Sequence, residues 1–223
     1  MRLNKFLADV TGISRRSADR AITEGRVRVN NAPASLGMLV SDNDTVQLDG
    51  RAITPVVNTI TIMLNKPAGY VVSRRGQGSK TIYDLLPPEL HSLKPIGRLD
   101  KNSSGLLLLT SDGMLANKLT HPRYGKTKVY EVKLDTPLRP LHRRLITSSG
   151  VQLEDGVSKL GLERIKTDDD TAWAVTMSEG RNRQIRRTFA VLGYKVTRLH
   201  RTKFGDFALK NLPPGSYLRL EHS

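Results

Sequence analysis

Asp100 is the carboxylate best placed to do chemistry. It stands in a polar stretch bounded by glycines, Gly97-Arg98-Leu99-Asp100-Lys101-Asn102-Ser103-Ser104-Gly105, that runs directly into the apolar segment Leu106–Leu109. Loop residues held by a buried strand often carry reactions, and the neighbouring cations Arg98 and Lys101 favour the charged carboxylate. Such a carboxylate can carry chemistry, although on local evidence a turn residue capping its own backbone is the commoner case. A second cluster is the run Glu179-Gly180-Arg181-Asn182-Arg183-Gln184-Ile185-Arg186-Arg187. Arginines at the start of a helix oppose its macrodipole, so a phosphate or carboxylate partner would relieve them. Tyr130 lies in the alternating segment Thr127–Leu134, on one face with Val132 and Leu134. A tyrosine in that position is more often a core residue than a catalytic one.

Other chemistries are poorly supported. The chain has no cysteine, which removes disulfides, thiolate nucleophiles and iron–sulfur clusters. Its five histidines are scattered without H-x-H or H-E-x-x-H spacing, so no metal site is expected. No pair of carboxylates is placed as an acid–base couple, and no G-x-G-x-x-G or complete P-loop occurs. Gly78-Ser79-Lys80-Thr81 resembles the end of a P-loop, but position 73, where the first glycine is required, is Ser73.

The charge pattern points to a polyanionic partner. The 223 residues carry 36 Lys+Arg and 21 Asp+Glu, a formal charge of +15. The excess is uneven: +2 over residues 1–60, +7 over 61–130, −2 over 131–179 and +8 over 180–223. If the two basic stretches meet, they form one basic cleft, and the acidic stretch between them is expected to face away from it. The longest aliphatic run is too short to span a bilayer, and Lys5 and Asp9 interrupt the N-terminal apolar stretch. A soluble cytoplasmic protein is the expectation.

Two segments must position these groups. In residues 1–58, Leu3, Phe6, Leu7 and Val10 form a helical stripe ended by Gly12. Ser14 is the N-cap of a second helix that buries Ala18, Ala21 and Ile22 and stops at Gly25. Arg15, Arg16 and Arg20 lie off that buried face, with Arg26 and Arg28 beyond. Val27 and Val29 form a short strand into an Asn30-Asn31 turn, and Val40, Val46 and Leu48 fit later strands, broken at Asp42-Asn43-Asp44 and Asp49-Gly50. This layout suits a nucleic-acid module, although such arginines can also form a merely solvated face. Thr54–Thr59 is a linker. Residues 59–223 read as an α+β domain. Strands are expected at Ile60–Leu64, Tyr70–Ser73, Leu106–Leu109, Thr127–Leu134, Ala172–Ser178 and Lys195–Arg201. A short helix fits Thr81–Leu86, and a longer one, with Ile185, Phe189 and Leu192 on its apolar face, ends at Gly193.

The wording of the chain then carries a resemblance. "RLNKFLA", "SRRSADRAITEGRVRVNN" and "SDNDTVQLDG" resemble an S4-like RNA-binding domain. "LNKPAGYVVS", "GRLDKNSSGLLLLTSDG", "KVYEVKL", "SEGRNRQIRR" and "VTRLHR" resemble, in order, the pseudouridine synthases of the RsuA/RluB branch, which modify ribosomal RNA. The resemblance implies a mixed, largely antiparallel sheet with flanking helices, preceded by a small α/β S4-like domain. It implies that Asp100 is the essential aspartate, Tyr130 the tyrosine against the target base and Arg186 the basic partner of Asp100, by bidentate contact. Ile185 and Leu199 would line the pocket, with Arg98 beside them. RNA contacts would come from Arg15, Arg16, Arg20, Arg26, Arg74, Arg75, Lys101, Arg181, Arg183, Arg187, Arg198 and Arg201. The isomerisation needs neither cofactor nor metal. The partner implied is ribosomal RNA, free or in an assembling subunit, acted on by a monomer. "SRR" at Ser73–Arg75 and "EGRNRQIRR" are closer to the branch acting on large-subunit (23S) RNA. A small-subunit (16S) enzyme, or an RNA-binding protein without activity, are the alternatives.

Overall fold

The computed structural model describes residues 1–41, 43–54, 59–121 and 125–220. Asp42 of the expected 42–44 break and most of the Thr54–Thr59 linker lie outside these residues. The chain divides into two compact units, Met1–Ile60 with Ser111–Gly113, and Thr61–Thr110 with Met114–Ser223.

In the first unit, helix α1 (Leu3–Thr11) buries Leu3, Phe6 and Leu7 and ends at Gly12, whose φ of 78° closes it in the left-handed conformation. Helix α2 (Arg15–Thr23) is capped by Ser14, whose Oγ accepts from the Ser17 N–H at 3.0 Å. Four short antiparallel strands follow: β1 (Val27–Val29), β2 (Ala32–Pro33), β3 (Val46–Leu48) and β4 (Arg51–Ile53), in the order β2-β1-β3-β4. Asn30 and Asn31 both take positive φ in the β1–β2 turn. Val40 is buried but in no strand; its N–H donates to the Met1 carbonyl at 2.8 Å.

The second unit is a mixed sheet with one parallel seam. Its strands are β5 (Thr61–Lys66), β6 (Lys94–Ile96), β7 (Ser104–Thr110), β8 (Lys128–Leu134), β9 (Val151–Leu153), β10 (Gly156–Ser158), β11 (Gly161–Arg164), β12 (Ala172–Met177), β13 (Val196–Phe204), β14 (Phe207–Ala208) and β15 (Tyr217–Leu220). The main order is β11-β12-β8-β13-β7-β5-β15, with β6 on β7 and β14 on β13, while β9 and β10 form a separate hairpin. Among the described residues, the named strands of this unit pair antiparallel except β7 with β13. Helices α3 (Gly113–Thr120), α4 (Pro140–Arg144) and α5 (Gln184–Val191) accompany the sheet. Leu106–Leu109 are fully buried in central β7, as a continuous apolar run requires when both faces are covered.

Tyr70–Ser73 is not a strand. A single bridge, Val71 to Thr81, forms there, and just beyond it the Arg74 guanidinium donates to the carbonyls of His91, Ser92 and Leu93 at 2.8–3.4 Å. The expected helix at 81–86 is a 3₁₀ turn, Ile82–Leu85, held by reciprocal Thr81 and Asp84 bonds.

The parallel seam places the Asp100 loop beside β13. Arg201 of β13 pairs with Gly105 of β7, where φ is 104° and a Cβ would stand 2.2 Å from the Arg201 carbonyl oxygen and 2.5 Å from its nitrogen. No side chain fits against that backbone. Gly105→Ala is expected to destabilise by about 3 kcal/mol or more, a fall of roughly 6–12 °C in melting temperature. A thermal melt followed by circular dichroism checks this; an unchanged melting point would mean that the seam separates freely.

Candidate active site

Asp100 sits in a cavity of about 590 Å³ walled by loop 97–103, β8, the start of α5 and β13. The loop is tied at its base by Lys66, the last residue of β5. Its side chain is completely buried, and Nζ donates to the carbonyls of Pro67 at 2.9 Å and Ser103 at 2.7 Å, with that of Lys101 at 3.5 Å. Burial pushes the Lys66 ammonium down to about 8, and the charge of Asp100 opposes that shift. The Gly69 N–H donates to the Lys101 carbonyl at 2.8 Å, and the Ser103 N–H to that of Asp100 at 3.0 Å. The carboxylate therefore projects from a fixed turn while its side chain stays 33% exposed.

Two arginines face it differently. Arg183 Nη1 donates to Asp100 Oδ2 at 3.4 Å, and its side chain is 50% exposed. Arg186 Nε stands 4.0 Å from the same oxygen. The rest of the Arg186 guanidinium is anchored: Nη1 donates to the Val196 carbonyl at 2.7 Å, and Nη2 to the Asn102 carbonyl at 3.0 Å and Ser103 Oγ at 3.4 Å. The bidentate Arg186–Asp100 contact is thus not formed, because backbone carbonyls take both terminal nitrogens. Nε is buried without a hydrogen-bond partner. Burial lowers the affinity of Arg186 for its proton, Arg183 lowers it further and Asp100 opposes both.

Tyr130, Ile185 and Leu199 are buried and line the cavity, and Arg98 lies exposed on its wall. Strand pairing brings them together: on β8 and β13, Tyr130 is opposite Arg201 and Val132 opposite Leu199. The two basic stretches meet here, as the loop of one and the α5 end of the other.

Several cations expected to meet RNA are otherwise engaged. Arg201 is only 2% exposed; its Nε donates to the Leu106 carbonyl at 2.7 Å and its guanidinium packs 5.0 Å from the Phe204 ring centre. Arg181 bonds the carbonyls of Asp155, Gly156 and Val157, and Arg187 holds the Asp155 carboxylate at 2.6 and 3.1 Å. The acidic stretch 131–179 therefore does not simply face away, since Asp155 closes onto two arginines of the basic run. Arg74 spans three carbonyls and packs on the Tyr83 ring. Arg26 is clamped by Asp49 at 2.6 and 2.7 Å. Long-range partners that one stretch of sequence does not display hold all five. Arg15, Arg16, Arg20, Arg75 and Lys101 are exposed, as is Arg198 at 62%. Arg15 also donates to Asn4 at 3.3 Å, and Lys101 to Ser79 at 3.0 Å.

Sequence reasoning missed Lys66, which it carried only inside the motif LNKPAGYVVS, and Lys128, whose Nζ donates to the Glu179 carbonyl at 3.1 Å on the cavity wall. The available signal for Lys66 was a lysine closing an otherwise buried strand. Among the described residues no group of His, Asp and Glu is arranged to hold a metal, and no helix is long and apolar enough to cross a membrane.

Comparison with known proteins agrees with this layout. The model of the RNA pseudouridylate synthase family matches residues 60–191, and that of the S4 domain residues 1–46. An uncharacterised RNA pseudouridine synthase of Aquifex aeolicus is 40% identical over 99% of this chain and 90% of its own length. Ribosomal large subunit pseudouridine synthase B of Bacillus subtilis is 35% identical over 96% of this chain and 89% of its own. Ribosomal small subunit pseudouridine synthase A of Yersinia pestis is 34% identical over 97% and 93%. The chain spans less than half the length of some other relatives, such as the 40% identical Xanthomonas campestris enzyme, of which it covers 44%. A crystal structure of a pseudouridylate synthase superposes with a TM-score of 0.70 at 33% identity, over 99% of this chain and 96% of that one. With its S4 domain followed by an α+β synthase domain, the chain belongs to the RNA pseudouridylate synthase family, in its RsuA/RluB branch.

Proposed function

We propose that this protein converts a uridine of ribosomal RNA to pseudouridine, with Asp100 as the reacting carboxylate. The observation that carries the assignment is the carboxylate at the wall of a cavity lined by Tyr130, Ile185 and Leu199, with two arginines within 4.0 Å. The reaction breaks the N1–C1′ bond, turns the uracil and joins C5 to C1′. The C5 proton leaves and N1 regains one, so nothing is oxidised or reduced. Asp100 has two routes open: attack at C1′ with uracil as leaving group, or removal of the C2′ proton to give a glycal. Both require the carboxylate form.

The remaining residues suit the intermediate. Detached uracil has to stay in place while it turns, which favours the apolar walls Ile185 and Leu199. A base from folded RNA must first be extruded at a cost of a few kcal/mol, and phosphate contacts by exposed cations such as Arg75, Lys101, Arg98 and Arg198 offset it. The exposed Arg15, Arg16 and Arg20 on α2 give the S4 domain a face for structured RNA.

Large-subunit RNA is the proposed substrate. Support comes from the Bacillus and Xanthomonas relatives, whose names specify the large subunit. Carbodiimide mapping of 23S and 16S RNA incubated with purified protein tests this. One new stop in 23S RNA is expected; a stop in 16S RNA would move the assignment to the small subunit, and none in either would overturn it.

Tyr130 is the stacking face for the base, worth on the order of 1–3 kcal/mol. Tyr130→Phe should retain most turnover, whereas Tyr130→Ala should lower kcat/KM by roughly 10–100-fold. Steady-state kinetics on a fragment carrying the target uridine check the pair, alongside melting curves. Equal losses in both would tie the role to the hydroxyl.

A further inference from the structure

Arg183 adopts an uncommon backbone for a residue with a side chain, φ 45° and ψ 31°, in the left-handed region just before α5. That turn brings its half-exposed guanidinium to Asp100 at the cavity mouth. The contact is long, 3.4 Å, and made by one nitrogen. Arg186, in contrast, is fixed by protein acceptors and keeps an unused buried N–H at 4.0 Å from the same oxygen. One arginine is half exposed and tied to protein by one long bond; the other is mostly buried, anchored on two carbonyls and one short step from hydrogen-bond distance. Both crowd a single carboxylate, and their charges repel each other.

We propose that Arg183 is a phosphodiester-binding residue that releases Asp100 to Arg186 when the RNA enters. In the free protein Arg183 holds Asp100. A phosphate beside the target uridine is the better partner for an exposed guanidinium, being able to accept two parallel N–H bonds. Its capture of Arg183 removes the weak tie on Asp100 and the nearest repulsion on Arg186. A shift of roughly 1 Å then gives Asp100 a hydrogen bond from Arg186 Nε. The carboxylate is thereby aimed only when a backbone phosphate is in register, so binding energy from a non-reacting part of the RNA serves orientation. This rests on the RNA-modifying reading above and goes further by naming the group of the substrate that Arg183 takes.

A chemical double-mutant cycle tests it. The RNA fragment that the wild-type protein modifies is synthesised with an uncharged methylphosphonate at the phosphate 5′ or 3′ of the target uridine. The protein variant is Arg183→Asn, since asparagine tolerates the left-handed backbone. Wild type should lose about tenfold in kcat/KM at one of the two positions, and Arg183→Asn about tenfold on unmodified RNA. Combining both changes should cost no more than about threefold beyond either alone. The slope of log affinity against log salt should fall by about 0.7–0.9 in the variant. Arg183→Lys should recover part of the coupling. Losses that simply multiply at both positions would overturn the proposal, as would an unchanged salt slope. Failure of the wild-type protein to modify any ribosomal RNA would instead refute the underlying function.

Discussion

Asp100→Asn is expected to lower turnover by at least about 10³-fold, so that carbodiimide mapping shows no new stop where wild type gives one. The substitution keeps the shape of the side chain and removes only its capacity to attack or to take a proton. Asp100 is 33% exposed at a cavity wall and not part of the core, so the melting temperature should shift by no more than about 2 °C. RNA affinity should hold or tighten by a few fold, because a negative charge has been taken from a site that receives a polyanion. The combination separates chemistry from binding: kcat collapses while Kd does not weaken. An Asn variant within about tenfold of wild type would place the reacting group elsewhere. A variant that loses RNA binding in parallel would make Asp100 a structural anchor of its loop.

What the sequence made legible was local. The stripe Leu3, Phe6, Leu7 and the cap Ser14 specify α1 and the start of α2 within one segment, and the alternation at Tyr130, Val132 and Leu134 specifies the buried face of β8. Asp100 stood out because its loop is polar and its strand is not. The tightness at Gly105, by contrast, comes from a strand nearly a hundred residues away in sequence. Lys66 left only the signal of a lysine closing an apolar strand, for the same reason: its burial is made tolerable by carbonyls from the Asp100 loop that converge on it. The arginines show the limit most clearly. Arg198 and Arg201 lie on one strand with equal charge, yet one is 62% exposed and the other 2%. The difference is set by register and by the irregularities that β13 makes against β8. Arg181 and Arg187 look like free cations until the fold brings Asp155 to them. Charge counts gave the sign of the partner, and only tertiary pairing told which charges remain to meet it.

Arg186→Met should lower kcat by roughly 10²–10³-fold while changing RNA affinity by less than about threefold. Methionine keeps a long flexible side chain in the mostly buried slot but carries no donor. It leaves the Val196 and Asn102 carbonyls without the Arg186 bonds and removes the fixed cation beside Asp100. The Asn102 bond ties α5 to the loop that bears Asp100, so losing it frees the reacting group to wander. A displacement of 1 Å at such a group is enough for a hundredfold loss. Arg186→Lys should recover little, because one ammonium cannot bond both carbonyls and still face Asp100. The readout that separates positioning from RNA contact is the split between kcat and Kd. Arg186 has a side chain 13% exposed and its terminal nitrogens committed to protein, so little of it is left for a phosphate. If Kd weakened as much as kcat fell, Arg186 would be a backbone contact of the RNA, and Arg183 alone would be left to govern the carboxylate.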